Sequence, residues 1–246
     1  MRKQLLLVCP LMLLGTALWG ASTCTDSSMS AYDASGFMCT LGGITFSNFG
    51  FAFSGTVTPP LTDTAVTVTP TTDSSGDVTL QFDADWSAGA GLQESVSLSY
   101  LATASSAIMT GESIAMQGFN QNGSGAVNIG ESICVGGKYL STGQCTGSGV
   151  DSIGVYDDGT GDMKSFDSVA FNPDQSQIDV VKNITVQGGT AGSNSNATVS
   201  EVFNTTNTSG GGGGTGGGPV PEPNTLIMLG SGLMVAALAW RRRCQG

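Results

Sequence analysis

Two carboxylates that lie two residues apart are the first group in this sequence whose type and spacing suit chemistry. Asp83 and Asp85 fall on a predicted strand, where residues i and i+2 share a face, so their carboxylates would lie roughly 7 Å apart. Paired acids of inverting glycosidases have similar separations, and Trp86 offers a ring on which a sugar could stack. The pattern allows a carboxylate-based, glycoside-active enzyme, but a solvated acidic strand end is the favoured interpretation.

An acidic, glycine-rich loop is the second candidate. Residues 156–162 read YDDGTGD, and the carboxylates of Asp157, Asp158 and Asp162 are oxygen ligands of the kind that calcium prefers. The loop lacks the alternating Asp spacing and the later bidentate Glu of a helix-loop-helix calcium site. An ordinary turn is therefore the favoured interpretation, and a calcium site is the alternative.

The cysteines suit disulfides better than metal binding or catalysis. The sequence contains no histidine, which removes the usual base for a serine or cysteine nucleophile, and it has no C-x-x-C pair to suggest zinc. Four cysteines in an exported domain predict two disulfides. The short-loop pairing of Cys24 with Cys39 and of Cys134 with Cys145 is preferred, and pairing of Cys39 with Cys134 is the rival. We expect no cofactor and no bound metal.

Threonine-rich runs at residues 64–72 and 204–208 suggest a further binding function. Ice-binding surfaces use arrays in which several strands repeat Thr-x-Thr in register. The sequence shows no such repeat across several strands, so ice binding is only a minor alternative.

The elements that must position these residues are strands. Ten stretches alternate apolar with small or polar residues, the period-two pattern of strands with one face in a core. They are residues 44–53, 65–69, 78–82, 96–101, 107–116, 126–133, 152–156, 165–171, 177–186 and 197–203. Turn-forming pairs such as Asn122-Gly123 and Asp158-Gly159 separate them. With no convincing helix between the strands, the fold class is predicted as all-β, an antiparallel β-sandwich.

Composition narrows the functions that this sandwich can have. From Cys24 to Pro219 there are three lysines, no arginine and 18 acidic residues, a net charge of −15, compared with −11 for the whole chain. Such a surface repels phosphate backbones, which argues against nucleic-acid binding. The excess of Gly, Ser, Thr and Asn suits an extracellular domain, and about 185 residues suffice for one domain with a sizeable core.

The first residues predict export. Two basic residues, Arg2 and Lys3, precede an apolar run over residues 5–19 and three small residues at 20–22. These are the marks of a secretory signal peptide, predicted here as a helical segment at residues 1–22 with cleavage between Gly20 and Thr23. Lipidation of Cys24 is a minor alternative, because the leucine expected three residues before a lipidated cysteine is missing.

The last residues predict a tether and a membrane anchor. Residues 209–219 are a glycine-rich linker, and a proline-flanked polar motif follows at Val220, Pro221, Glu222 and Pro223. Residues 225–240 carry no charge and would form a transmembrane helix about 24 Å long, close to the roughly 30 Å of a bilayer's hydrocarbon core.

The basic end of the chain sets the orientation of this anchor. Arg241, Arg242 and Arg243 act as a membrane stop, and positive residues that flank a membrane segment stay on the cytoplasmic side. The β-sandwich, predicted at residues 23–208, therefore lies on the opposite side of the inner membrane.

The tail closely resembles the PEP-CTERM sorting signal of Gram-negative bacterial surface proteins. The resemblance rests on VPEP at 220–223, the Thr-Leu start of the helix at 225–226, the LGSGL centre at 229–233 and the terminal arginines. It covers residues 220–243, about a tenth of the chain. The domain prediction is completed by a PEP-CTERM sorting signal at residues 220–246.

The resemblance implies the partners and the destination of the protein. An exosortase, a multi-span membrane transpeptidase with its own cysteine nucleophile, would remove the tail near Pro-Glu-Pro and pass the body to the cell surface or extracellular matrix. Proteins with such tails accompany exopolysaccharide production, which makes a polysaccharide a further expected partner. We therefore expect a non-catalytic, exported surface protein with a structural or adhesive role in exopolysaccharide or biofilm. A carbohydrate-, calcium- or ice-binding module is the alternative.

Overall fold

The computed structural model describes residues 21–106 and 108–209. Within the described ranges, no helix is both long and apolar enough to cross a membrane. The predicted signal segment up to residue 20, most of the glycine-rich linker and the predicted transmembrane helix at 225–240 lie outside the described residues.

In these described ranges, fifteen strands form two sheets. The first sheet contains eight of them: β1 (Ser22–Thr23), β3 (Met38–Leu41), β4 (Ile44–Gly55), β7 (Gln93–Ala104), β10 (Ala126–Val135), β11 (Gly149–Asp157), β12 (Met163–Lys164) and β14 (Gln177–Gln187). The second contains the other seven: β2 (Ser27–Ser28), β5 (Thr67–Thr72), β6 (Val78–Gly89), β8 (Met109–Gln117), β9 (Asn120–Asn122), β13 (Phe166–Gln175) and β15 (Asn196–Thr208).

The strand order is largely non-local. In the first sheet it is β1-β3-β4-β7-β14-β10-β11-β12, and in the second it is β13-β8-β15-β6-β5-β2, with β9 paired to β15. All of these pairings are antiparallel except that of β1 with β3. The all-β sandwich prediction is confirmed.

Alternation of side chains along the strands explains how the core forms. In β7 the side chains of Val96, Leu98, Tyr100 and Ala102 are buried, and the serines between them face outward. The same alternation runs through β14, so each strand contributes one apolar face to the space between the sheets. Burial of these two faces against each other is the main stabilising term of the fold.

All ten predicted strands correspond to observed strands, although their ends differ. β6, for example, continues seven residues beyond the predicted end at 82, because Ala84, Trp86 and Ala88 extend its inward-facing series. The prediction was wrong for Ala65, which closes a 3-10 helix at Asp63–Ala65 before β5 begins at Thr67. It also missed the single α-helix of the described chain, α1 (Met29–Tyr32).

The N-terminal segment crosses between the sheets. It contributes β1 to the first sheet, β2 to the second and β3 to the first again, and α1 buries Met29 and Tyr32. Ser22 of β1 pairs with Cys39 of β3, although Ser22 lies inside the predicted signal segment. Cleavage of the predicted signal peptide after Ser22 would remove half of β1.

Both preferred disulfides are confirmed. Cys24 pairs with Cys39 at a Cα–Cα distance of 4.8 Å, and Cys134 pairs with Cys145 at 5.4 Å. The first ties β1 to β3 beside α1, and the second closes the loop between β10 and β11. The rival pairing of Cys39 with Cys134 is excluded.

Removing the first disulfide is expected to destabilise the sandwich measurably. In the double variant Cys24→Ala/Cys39→Ala, the free energy of unfolding should fall by about 3 kcal/mol, because the open loop gives the unfolded chain more freedom. Urea unfolding followed by tryptophan fluorescence would measure the change, since Trp86 lies in the core. Wild-type protein in reducing buffer provides a comparison, and an unchanged urea midpoint would contradict the prediction.

A buried polar cluster as the candidate functional site

The carboxylate and tryptophan group predicted for sugar chemistry is not assembled. Trp86 is 0% exposed and belongs to the hydrophobic core, so it cannot stack on a sugar, and this part of the glycoside alternative was wrong. Its place in the inward series of β6 explains the burial, because residues 82, 84, 86 and 88 share the core-facing side.

Asp83 and Asp85 also depart from the regular spacing on which their pairing was based. Asp83 pairs with Glu201 and Trp86 pairs with Val199, so two residues of β6 face one residue of β15 at this point. Such a bulge changes the direction of nearby side chains. Asp83 accepts a hydrogen bond from Nε2 of Gln81 at 2.7 Å, and Asp85 is exposed. The pair therefore lies on an open sheet surface.

The carboxylates of the predicted calcium loop are bonded within the loop. Asp157 accepts a hydrogen bond from the backbone N–H of Gly159, and Asp158 accepts from the backbone and the hydroxyl of Thr160. Asp162 accepts from the Tyr156 hydroxyl at 3.1 Å. These bonds from Thr160 lower the pKa of Asp158. In the part of the chain that the structure describes, no three acidic, histidine or cysteine residues converge as metal ligands.

The threonine runs form one row of hydroxyls on the outer face of the second sheet. That row contains Thr71, Thr79 and Thr205. The hydroxyls of Thr79 and Thr205 are 2.8 Å apart. The next row contains Thr69, Gln81 and Phe203. Because only β5 places a threonine in both of these rows, the surface lacks the Thr-x-Thr array repeated over several strands that the ice-binding alternative needs.

The most unusual polar group of the structure lies between the two sheets. Six polar side chains from both sheets meet there, each no more than 2% exposed, and we call them the central cluster: Tyr100, Glu112, Glu131, Lys182, Asn204 and Thr206. Buried charged residues are rare unless they are paired, because transfer of a charge out of water costs much free energy.

Strand register brings the cluster together. Glu131 on β10 lies directly opposite Lys182 on β14 in the first sheet. In the second sheet, Thr206 on β15 lies opposite Glu112 on β8, and Asn204 is two residues before Thr206 on the same face. Each of these residues occupies an inward-facing position of its strand, so the sandwich has to bury all of them.

One carboxylate oxygen joins the two sheets. Oε2 of Glu131 lies 2.6 Å from Nζ of Lys182 and also 2.6 Å from Nδ2 of Asn204. The amine and the amide nitrogen therefore cannot be further apart than twice that distance. One acid, Glu131, thus contacts two nitrogens, the amine of Lys182 and the amide nitrogen of Asn204, and the three side chains form a compact group.

Glu112 holds the other side of the amide. Its Oε1 accepts hydrogen bonds from Nδ2 of Asn204 at 3.0 Å and from the hydroxyl of Tyr100 at 3.1 Å. Burial, and after it the negative charge of Glu131, raises the pKa of Glu112 to about 8. Burial also raises the pKa of Tyr100 well above its ordinary value, so its hydroxyl remains a donor. At neutral pH, Glu112 is therefore mainly a neutral acid.

Three oxygens of the cluster have unused hydrogen-bonding capacity. Glu112 Oε2, Glu131 Oε1 and Asn204 Oδ1 have no partner among the described residues, although buried polar atoms are usually paired. The cluster thus contains an amine, an amide whose carbonyl oxygen is uncommitted, and two carboxyl groups in a core that excludes water. These are the parts needed for attack of an amine on an amide with proton transfer.

Sequence reasoning missed this cluster, although a signal was present. Lys182 stands at an alternating position between Val180 and Ile184, both of which are buried. Glu131 stands in the same way between Ile129 and Ile133. A charged residue within an inward-facing series marks a buried polar site, but only the strand register shows which of these residues meet.

The surface offers a shallower candidate. An open depression of about 510 Å³ lies near one end of the sandwich and is lined by Thr56, Gly91, Leu92, Gln93, Ser124, Gln187, Gly189 and Thr190. Among the described residues, neither an aromatic ring nor a carboxylate lines it.

The predicted sorting residues, Val220 to Pro223 and Arg241 to Arg243, lie outside the described residues, but a family comparison covers them. Residues 219–243 match the family of the PEP-CTERM protein-sorting motif. The chain carries a PEP-CTERM sorting motif. The PEP-CTERM motif indicates an exported protein that is sorted to the cell surface and processed by an exosortase. Because the match covers about a tenth of the chain, it describes the tail and not the sandwich.

Comparison of the sandwich with solved structures gives weak likenesses. TmCBM61 in complex with β-1,4-galactotriose is 16% identical with a TM-score of 0.28, and the alignment covers 63% of this chain and 86% of that one. The enzymatically active domain of bacteriophage CBA120 tailspike protein 4 is 14% identical with a TM-score of 0.27, covering 66% of this chain and 19% of that one.

A third likeness is a structure of promiscuous carbohydrate-binding modules from the β-sandwich superfamily. It is 11% identical with a TM-score of 0.23, and the alignment covers 76% of this chain and 62% of that one. No curated protein shows a match to the sequence.

Proposed function

We propose that this chain is an exported surface or extracellular-matrix protein whose β-sandwich has a structural or adhesive, non-catalytic role in exopolysaccharide or biofilm. The observation that carries the proposal is the PEP-CTERM motif at residues 219–243, which gives the protein an address outside the cell. In this scheme the tail anchors the precursor in the inner membrane until an exosortase removes it.

Features of the described domain support a structural role. The two disulfides suit an oxidising compartment outside the cytoplasm. The strands are hydrogen-bonded to their neighbours within each of the two sheets, which suits a load-bearing body. The body charge of −15 keeps it soluble beside other acidic surfaces. Burial of Trp86 removes the stacking ring that the glycoside alternative places beside Asp83 and Asp85.

Processing of the tail is expected to depend on the PEP-CTERM motif. We expect Glu222→Ala to leave the tail attached, because the residue lies in the segment that the exosortase reads, whereas wild-type protein from the cell surface lacks everything after the Pro-Glu-Pro region. Intact mass spectrometry of protein from cells with and without the exosortase measures this. Asn224→Ala is the matched control just outside the motif and should be processed. Wild-type protein that retains Arg241 to Arg243 in cells with the exosortase would overturn the sorting proposal.

The role of the body needs a separate measurement. Titration calorimetry of the mature protein with the exopolysaccharide of its own matrix, and separately with calcium, distinguishes the functions. A polysaccharide interaction without an effect of calcium supports an adhesive role. Calcium binding that is lost in Asp158→Ala would instead favour the loop at residues 156–162 as a binding site.

A further inference from the structure

The central cluster contains a nucleophile and an electrophile that belong to different sheets. Lys182 is on β14 of the first sheet, and Asn204 is on β15 of the second. Their side-chain nitrogens both lie 2.6 Å from the same oxygen of Glu131. The ion pair of Lys182 and Glu131 does not itself require a buried side-chain amide beside it. The carbonyl oxygen of Asn204 has no hydrogen-bond partner among the described residues, and burying it in this way costs folding free energy.

We propose that Lys182 and Asn204 become joined by an intramolecular isopeptide bond that links the two sheets. Nζ of Lys182 attacks Cγ of Asn204, the new Nζ–Cγ bond forms, and the bond from Cγ to Nδ2 breaks. The side-chain nitrogen of Asn204 leaves as ammonia. No electron is gained or lost overall, so the reaction needs no oxidant and no cofactor.

Glu131 is placed to transfer the protons of this reaction. The Lys182 ammonium gives one proton to Oε2 of Glu131, which makes the amine nucleophilic and both groups neutral. The acid then donates a proton to Nδ2 of Asn204 as ammonia departs, and it receives the second proton of the attacking nitrogen. The products are a neutral amide, neutral Glu131 and ammonia, which balances both hydrogens and charge. A single oxygen in contact with both nitrogens is the geometry that this transfer requires.

The surroundings favour the reaction in two ways. The core excludes water, which would otherwise compete for the proton-transfer positions and hydrolyse an activated amide. The reaction also converts a buried ion pair into neutral groups, and two buried charges carry a large desolvation penalty. Glu112 and Tyr100 act as positioning residues, because Glu112 accepts a hydrogen bond from the reacting amide and Tyr100 holds Glu112.

Mass and protease sensitivity test the proposal together. Protein from the cell surface should be lighter by the mass of one ammonia, about 17 Da, than its sequence with two disulfides predicts. Between residues 24 and 219, trypsin has sites only after Lys138, Lys164 and Lys182. In the denatured and reduced protein it should cut after the first two and not after Lys182, because an acylated lysine carries no positive charge. Tandem mass spectra should place the link between Lys182 and Asn204.

Three variants control for other losses of ammonia. Asn204→Ala removes the electrophile and Lys182→Arg removes the nucleophile, so both should show full mass and cleavage after position 182. Glu131→Gln should show the same loss of cross-linking in protein whose near-ultraviolet circular dichroism reports a folded core. These readouts separate a role in proton transfer from a role in folding.

Two results would overturn the proposal. The first is wild-type protein of full mass with free cleavage after Lys182. The second is a mass loss accompanied by free cleavage, since cyclisation at Asn122-Gly123 also releases ammonia but leaves Lys182 unmodified. Because tail processing is assayed separately through the C-terminal mass, failure of the cross-link and failure of the sorting proposal are distinguishable.

Discussion

Replacing Glu112 with Gln is expected to stabilise the folded protein strongly at pH 9 while leaving its stability close to wild type at pH 4. Burial raises the pKa of Glu112 to about 8 in the folded state, whereas its ordinary pKa, which the unfolded chain keeps, is 4.5. The stability that neutral Glu112 gives is fully present below pH 4.5 and is lost as the pH rises through about 8. The total loss is on the order of 3–5 kcal/mol, and Gln avoids it because Gln does not ionise.

Gln also preserves the contacts of Glu112, since its carbonyl oxygen can accept from Tyr100 and Asn204 as Oε1 of Glu112 does. The isopeptide bond would remove the Asn204 amide, so Glu and Gln at position 112 are compared in the Lys182→Arg background, in which that bond does not form. Urea unfolding at a series of pH values between 4 and 9 would measure the effect. Glu201→Gln is the matched control, because it removes the same charge from the outer face of the same sheet. Parallel pH profiles for wild type and Glu112→Gln would show that Glu112 is not a buried acid with a raised pKa.

The single variant Glu131→Leu is expected to be less stable than the double variant Glu131→Leu/Lys182→Met by about 3–5 kcal/mol. The single change leaves the ammonium of Lys182, which is 1% exposed, without its carboxylate partner at 2.6 Å. The double change removes both charges and fills the space with apolar groups, which is often neutral for a buried ion pair. Both variants lack Glu131, so the isopeptide bond does not form in either and the comparison reports the ion pair alone.

Urea unfolding midpoints of the two variants give this difference. The matched control adds Lys164→Met to Glu131→Leu, because Lys164 is 44% exposed and pairs with Asp167 at the surface, where ion pairs contribute little. That control should resemble Glu131→Leu. Equal stability of the single and double variants would contradict the prediction, because it would show that the Lys182 ammonium without its carboxylate partner costs no stability.

The strands could be predicted from the sequence because their alternation is local. The series Val96, Leu98, Tyr100 and Ala102 is visible in the letters of the chain, and so is the disulfide pairing of cysteines that are close in sequence. The shortest strands, β1, β2, β9 and β12, have two or three residues each, which is too few for any period to be recognised.

The central cluster could not be predicted because it depends on contacts between residues far apart in the chain. Glu112 and Asn204 are separated by 92 positions, and Glu131 and Lys182 by 51. Alternation indicates that each points into a core, but it does not indicate which strands are neighbours or which rows of the two sheets face each other. Trp86 shows the opposite error, since its proximity in sequence to Asp85 suggested a shared surface that the alternation of β6 excludes.

The position of β15 determines how the domain would respond to mechanical force. It is the last strand of the residues that the structure describes (21–106 and 108–209), it ends at Thr208, and it is hydrogen-bonded to β6 on one side and to β8 and β9 on the other. Tension applied through the C-terminal end of the chain therefore acts along this strand, perpendicular to its hydrogen bonds. Many hydrogen bonds must then break together in shear instead of one after another, so β15 resists being pulled out of the sheet along its own axis.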